Sequence, residues 1–318
     1  MLSILALTTP IYLLIGAGYA ATRSGLFART DMRVMGKYAI HLALPAVLFN
    51  ALSQRQLGEI INPVFLAAYA GGSLLAMGAG LWWARRAQGL APSASAMVGL
   101  GMCSSNSGFI GFPLAAQVVG PSTAAIALAL AMLVENLLVI PLGLALAESG
   151  AGQGDASRAQ RLRAAFLQSL RTLARNPIIH GLVLGLFFSV TGLRLPEPVA
   201  RAVSLFAGSC TALSLFVIGG SLVGTSIGSL WKPVSVVAAG KLLLHPLAVL
   251  GLLMVLPPFA RDLQVAAVLF AAVPIMGIYT ILAQRHGHEG LAAASQMVAT
   301  VTSFVTLPIV LWAIGSGR

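Results

Sequence analysis

Long apolar blocks separated by short polar or Gly/Pro-rich breaks make up almost the whole chain. The breaks leave ten apolar stretches, at roughly 4–22, 34–53, 62–83, 94–119, 123–147, 177–193, 199–223, 233–256, 263–284 and 290–314. A helix needs about 20 residues to cross roughly 30 Å of hydrocarbon, with tilt absorbing small differences. The pattern therefore predicts ten transmembrane helices. The first stretch lacks a basic leader and stays apolar to about Ala21, so it is expected to be a retained span rather than a cleaved signal.

The two halves share a pattern. A shift of 167 positions carries Pro10 onto Pro177, Gly18 onto Gly185, and Ser24-Gly25-Leu26 onto Thr191-Gly192-Leu193. The same shift carries Gly120 onto Gly287, Ala125 onto Ala292 and Pro141 onto Pro308. Five spans per copy is an odd number, so the second copy enters the membrane from the opposite side. An inverted repeat of this kind is common in secondary transporters. The expected organisation is a first five-helix repeat at 1–147, a linker at 148–176 and a second, inverted repeat at 177–318. The linker opens with a flexible ESGAGQGDAS run, followed by Leu162, Phe166, Leu170 and Leu173 at helical spacing among five arginines. That segment is predicted to be an amphipathic helix on the anionic cytoplasmic leaflet, serving as a passive linker or as a regulatory dock.

Composition agrees with the pattern: 58% of residues are hydrophobic and 8% charged, and the mean hydropathy is +0.92. Soluble domains carry about 25% charged residues, and ten spans leave no room for a soluble catalytic domain. The net charge of +11 would suggest nucleic acid in a soluble chain, but here the charge sits in connections between spans. Thirteen basic residues (Arg23, Arg29, Arg33, Lys37, Arg85, Arg86, Arg158, Arg161, Arg163, Arg171, Arg175, Lys232, Arg285) fall on one side. Five (Arg55, Arg194, Arg201, Arg261, Arg318) fall on the other, and Lys241 lies within a span. The positive-inside rule then places both termini outside the cytoplasm. Cys103 and Cys210 lie inside apolar runs without CxxC spacing and read as small core residues.

Polar residues at bilayer depth carry the chemistry. The fourth span reads GMCSSNSGFIGFPLAAQVVG over 101–120. Pro113 removes an amide hydrogen and clashes with the carbonyl of Phe109, and Gly108 and Gly111 thin the same turn, so the helix is expected to break there. Ser104, Ser105, Asn106 and Ser107 precede it. A broken helix survives in a membrane only when buried in protein or lining a wet cavity. The ninth span has Pro274 and Gly277 at its middle, with Tyr279 close by. Paired interruptions in the two halves point to a transporter's central site, although two ordinary proline kinks are the plain alternative. Half-helix N-termini there suit an anion, and Asn106 can bind a carboxylate or fill a backbone gap. Lys241 in the eighth span can complement a carboxylate. Glu135 in the fifth can pair with it or carry a proton, and snorkelling to a span end is the structural alternative for both. His41, His180 and His245 are expected to bond locally, and His286 and His288 to be solvated.

No GxxxxGK[ST], no G-x-S-x-G and no acidic metal cluster occurs. HGHEGLA at 286–292 has Ala292 where a zincin needs its second histidine. No enzyme activity, cofactor or metal is expected.

With these segments in view, the chain resembles the auxin efflux carrier family, in particular its bacterial carriers of malonate and related organic acids. The resemblance rests on HLALPAVLFNAL (41–52), SSNSGFIGFPLA (104–115), ENLLVIPL (135–142), NPIIHGLVLGL (176–186) and PIMGIYTILAQRHG (274–287). Its most specific part is the Asn-x-Gly-x-x-Gly-x-Pro pattern of Asn106, Gly108, Gly111 and Pro113. The resemblance implies an all-α membrane protein of ten helices in two inverted repeats, with broken crossover helices 4 and 9 framing the site. It also implies that Asn106 and Pro113 occupy substrate positions in the first crossover, and Pro274 the matching one in the second. Plant auxin carriers have an Asn shortly after that proline. This chain has Met276, Gly277 and Ile278 instead, which favours a small carboxylate over auxin.

The candidate substrate-binding residues are thus Asn106, Ser107, Gly108, Gly111, Pro113, Pro274, Gly277, Tyr279 and Lys241, with Glu135 for proton coupling. The expected function is alternating-access transport of a malonate- or malate-like carboxylate. The alternatives are an exporter of auxin-like aromatic carboxylates and a non-transporting sensor or channel. Expected partners are the small carboxylate and the lipid bilayer, with no nucleic acid. Proton or sodium coupling and a homodimer stay open.

Overall fold

The computed structural model describes residues 2–55, 60–149, 167, 171, 174–224 and 231–315. Among these the chain is helical, with no strand and one isolated antiparallel bridge. In chain order the helices are α1 Leu2–Arg23, α2 Arg29–Leu52, α3 Pro63–Arg86, α4 Pro92–Cys103, α5 Ser107–Val119 and α6 Pro121–Glu148. They continue with α7 Pro177–Thr191, α8 Glu197–Ser221, α9 Trp231–Val255, α10 Arg261–Ala272, α11 Ile278–Gln284 and α12 Glu289–Gly315. Six of them (α2, α3, α6, α8, α9 and α12) are long and apolar enough to cross a membrane. The predicted fourth span is the pair α4 and α5, and the ninth is the pair α10 and α11.

The predicted sixth span is shorter than expected. α7 has 15 residues, which at a 1.5 Å rise gives about 22 Å, less than a full hydrocarbon core. Both ends are fixed locally. The Asn176 side chain accepts from the Ile178 amide at 3.0 Å ahead of Pro177, and Gly192 ends the helix with φ 65°. Gly25, offset by 167 positions from Gly192, also has positive φ, as do Gly120 and Gly287, a second pair at the same offset.

Prolines shape the long helices through a shared device. π-helical turns at Ala39–Ala43, Ser107–Gly111, Glu135–Val139 and Gly240–Leu244 each end two residues before a proline: Pro45, Pro113, Pro141 and Pro246. Proline lacks an amide hydrogen and clashes with the carbonyl four residues back. A wider turn displaces that carbonyl and lets the helix continue. Pro10 and Pro308 lie in helices that stay α-helical. Single π turns are frequent at functional sites, and two of these four carry Glu135 and Lys241.

The chain forms two compact units, one from residues 1–63, 107–130 and 174–224, the other from 64–106, 131–173 and 225–318. Each takes pieces from both sequence halves. In the first unit α1 packs on α8 through glycines. A β-carbon on Gly18 would strike the Phe216 carbonyl, and one on Gly219 the Ile15 carbonyl. Such close backbone approach is how membrane helices gain van der Waals contact without a hydrophobic driving force. α2 meets α7 with Phe49 edge-on to Phe188, ring centroids 5.1 Å apart. In the second unit α3 packs on α9 at Gly72 and Val249, and the end of α6 packs on α4 at Gly143 and Leu100. Cys103 and Cys210 are buried free thiols. Leu162, Phe166, Leu170 and Leu173 of the predicted amphipathic helix lie outside the described residues.

Candidate functional site

The break in the fourth span lies earlier than its proline suggests. α4 stops at Cys103, and Ser104–Asn106 run non-helically before the π turn of Ser107–Gly111. Pro113 sits in the first turn of the α-helical run Phe112–Val119 and breaks nothing, because the π turn has already removed its clash. Serine chemistry ends α4 instead: the Ser104 hydroxyl donates to the Leu100 carbonyl at 2.6 Å, and Ser104 turns extended at ψ 110°. The ninth span breaks where expected, over Val273–Gly277 with Pro274 inside the gap.

In the second unit the two gaps pair. The Asn106 amide donates to the Pro274 carbonyl at 2.8 Å, the Met276 amide donates to the Ser104 carbonyl at 3.3 Å, and Ser105 faces Ile275 in an antiparallel bridge. An unpaired backbone group in hydrocarbon costs several kcal/mol, so each gap satisfies groups the other would leave orphaned. Ser104, Ser105, Asn106, Pro274 and Ile275 are all buried.

A chain of polar side chains surrounds this crossing. The Tyr69 hydroxyl donates to Glu135 Oε1 at 3.0 Å and lies 3.1 Å from Ser105 Oγ. One turn along α3, the Ser73 hydroxyl donates to the Tyr69 carbonyl at 2.7 Å and lies 3.0 Å from His245 Nε2. His245 Nδ1 is 3.1 Å from Lys241 Nζ, which also donates to the Ala271 carbonyl. Lys241 and His245 are 0% exposed and Glu135 4%.

Proton counting assigns the roles. Ser73 has one proton and gives it to Tyr69, so His245 Nε2 must donate to Ser73 and Nδ1 must accept from Lys241. His245 is therefore a neutral Nε2–H tautomer, since an imidazolium would set two donors against each other. Ala271 lies in the last turn of α10, whose carbonyls the break leaves without helical partners. Lys241 caps that terminus by donating to the Ala271 carbonyl.

The predicted residues separate. Asn106, Pro274, Glu135 and Lys241 belong to the crossing and its polar surround. Neither Lys241 nor Glu135 snorkels, because both stand at π turns in mid-helix. Tyr279 is fully buried against Gly101 and donates to the Met97 carbonyl at 2.7 Å, while Gly277 is exposed. Ser107, Gly108, Gly111 and Pro113 lie in the first unit on α5, where Gly108 faces Leu44 of α2. Tyr69 and Ser73 carry no signal of their own in the sequence, and His245, expected to bond only locally, meets Lys241 four residues back and also Ser73 of α3. Tyr69 and Ser73 share a face of α3 at i, i+4 spacing, and His245 stands four residues after Lys241; that pairing was the available signal. His41 and His180 bond locally to the Lys37 and Ala174 carbonyls, as expected, at 2.9 and 2.8 Å. His288 is half-buried, with Nε2 3.0 Å from Ser93 Oγ.

Comparison with known proteins gives this arrangement a context. The family model described as "Membrane transport protein" matches residues 3–313. The chain is 24% identical over 322 residues to a Rhizobium meliloti protein provisionally named a malonate transporter, covering 100% of this chain and 98% of the relative. It is 25% identical over 311 residues to an uncharacterized transporter of Methanothermobacter thermautotrophicus, covering 96% and 95%. An uncharacterized transporter of Escherichia coli is 22% identical over 306 residues, covering 94% of each chain. With an all-helical chain, several helices long and apolar enough to span a bilayer, and a family match over nearly its whole length, this protein belongs to the membrane transport protein family that includes the auxin efflux carriers.

Proposed function

We propose that the protein is a secondary carrier of a small organic anion, malonate- or malate-like, working by alternating access in the bacterial inner membrane with both termini outside the cytoplasm. The observation that carries this reading is the crossing itself: two gaps in two helices, backbone-paired and buried, beside a lysine that caps one of the interrupted helices. Asn106 is the residue assigned to the carboxylate; Ser107, Gly108 and Gly111 of the first unit are the further candidates, and Pro113 keeps their turn widened. Pro274 and Gly277 hold the second gap open, and Tyr279 anchors α11 on α4. Lys241, which caps α10 beside the second gap, is the amine assigned to complement the carboxylate. The Rhizobium meliloti relative supports malonate as a first substrate to try.

Two inverted five-helix repeats account for gaps in corresponding spans and for the positive-φ glycine pairs Gly25 with Gly192 and Gly120 with Gly287. The uneven distribution of basic residues supports the orientation. Uptake of a dianion into an inside-negative cell must overcome about 4.6 kcal/mol per 100 mV. Glu135, hydrogen-bonded through Tyr69 toward Ser105, is the group we assign to proton exchange in that direction.

Purified protein in liposomes tests the reading. Labelled malonate or malate is expected to show saturable counterflow, and Asn106→Ala to lower it about tenfold or more, the worth of a hydrogen bond to a charged group. The melting temperature should change little. Linear flux would make the protein a channel, no flux with any small carboxylate would favour a sensor, and wild-type kinetics in Asn106→Ala would remove Asn106 from the site.

A further inference from the structure

The second gap has no polar side chain of its own, since Val273–Gly277 contribute only backbone groups. The fold of the second unit brings one from another helix. The Thr280 hydroxyl, on α11, donates to Gln296 Oε1, on α12, at 2.9 Å. A carboxamide carries its acceptor and its two donors on opposite arms, so this bond fixes the amide and turns Nε2 away from Thr280. Nε2 comes to rest at the gap: the nearest atom that a β-carbon on Gly277 would meet is Gln296 Nε2, at 3.7 Å.

Both sides of this approach are open. Gly277 is exposed and Gln296 half-buried, whereas the rest of the crossing, from Ser104 to Asn106 and from Val273 to Met276, is buried. Among the described residues no group accepts either Nε2 proton. With Oε1 bound to Thr280, the free arm of the amide only donates, which suits the oxygens of an anion and offers nothing to a cation. α11 carries no charged residue, and α12 only Glu289, seven residues before Gln296 and about 10 Å away along the helix axis. The backbone does not demand a glycine at 277, where φ is −62°, and a contact at 3.7 Å is ordinary van der Waals distance. The missing β-carbon therefore leaves room rather than avoiding a clash. An oxygen hydrogen-bonded to Nε2 at about 2.9 Å fits beside that vacant position.

We propose that Gln296 is a substrate-binding residue, its amide donating to a carboxylate oxygen of the transported anion at the second gap. It supplies there the side-chain amide that Asn106 is assigned to supply at the first. The inference rests on the carrier reading above and adds to it a residue from a helix that does not itself break.

Two variants separate substrate binding from a brace between α11 and α12. Gln296→Glu keeps an oxygen for the Thr280 hydroxyl and replaces the donor arm with a second, charged acceptor. In liposome counterflow with labelled malonate it is expected to raise the half-saturating concentration about tenfold or more, the worth of a hydrogen bond to a charged group, with little change in melting temperature. A brace survives this substitution, so wild-type half-saturation in Gln296→Glu overturns the proposal. Gly277→Ala suits the local backbone and should melt no lower than wild type, but its methyl group takes the space beside Nε2. Half-saturation is expected to rise severalfold, and wild-type half-saturation here overturns the proposal as well, including where Gln296→Glu does not fold. Saturable wild-type flux with both variants indifferent sinks this inference alone, whereas no wild-type flux with malonate or any other small carboxylate sinks the carrier reading together with it.

Discussion

The two gaps reach one geometry by different chemistry. The first is polar: three consecutive residues, Ser104, Ser105 and Asn106, can bond to nearby backbone, and Ser104 does so against Leu100. Its proline lies seven residues beyond the gap and is accommodated by a π turn. The second gap is apolar except for its backbone, and Pro274 stands inside it. Competition from side chains opens one helix, and a missing amide hydrogen opens the other. Proline is therefore neither necessary nor sufficient for a gap: Pro113 lies outside one, and Pro45, Pro141 and Pro246 follow π turns in helices that do not break. Backbone pairing between the gaps supplies what neither sequence contains, namely partners for the groups left over.

The gaps also differ in what terminates the helix before them. α4 is closed by its own Ser104, whereas α10 borrows Lys241 from α9. The largest expected effect follows. Lys241→Met should destabilise the protein by about 2–5 kcal/mol, because it leaves two buried acceptors, the Ala271 carbonyl and His245 Nδ1, without their donor. Thermal unfolding in detergent reads this directly. A loss under about 1 kcal/mol would mean that α10 needs no borrowed cap.

A matched pair of variants compares the gaps themselves. Pro274→Ala places a new amide hydrogen in a buried segment. Either it stays unsatisfied, at a cost of about 1–3 kcal/mol, or it extends α10 and pulls the backbone pairing apart. Ser104→Ala removes one hydroxyl bond whose acceptor still receives the Ser104 amide, a loss of about 1 kcal/mol. Chemical unfolding of the two side by side should rank Pro274→Ala as the more damaging. The reverse order would assign the second gap to pairing with the first rather than to its proline.

The smallest effect concerns the outer ends of the same two spans, where His288, just after α11, meets Ser93 in the first turn of α4. Burial lowers the His288 pKa below its ordinary 6.5, neighbouring His286 lowers it further, and Glu289 partly opposes them. The folded protein then binds fewer protons than the unfolded chain just below pH 6.5, so stability falls as pH drops through that range and is unaffected above it. The effect should stay under about 1 kcal/mol, given partial exposure. Melting temperatures between pH 5 and 8 should show a shallower acid slope in His288→Gln, and an unchanged slope would clear His288 of any part in it.

Much of this was legible along the chain. Apolar blocks located the helices to within a few residues, since a bilayer admits few alternatives to a helix of about 20 apolar residues. Interruptions in spans four and nine were visible as clustered Ser, Gly and Pro. The position of the first gap was misread because proline is the louder signal, while the π turn that neutralises Pro113 depends on neighbours no local rule supplies. Lys241 and Glu135 stood out as intramembrane charges, but whether they snorkel depends on which face the surrounding helices cover. Tyr69, Ser73 and the long-range partner of His245 were illegible for a related reason. One hydroxyl on an apolar helix is unremarkable until α9 places an imidazole 3.0 Å from it.

Hydropathy, spacing and charge distribution thus established a helical membrane protein with paired interruptions, because the cost of desolvating backbone and charge acts residue by residue and leaves its mark locally. Folding added the partners. The Asn106 amide meets Pro274 across 168 positions of chain, and Lys241 reaches Ala271 across 30. Hydrogen bonds need atoms within about 3 Å, a requirement that linear order does not encode.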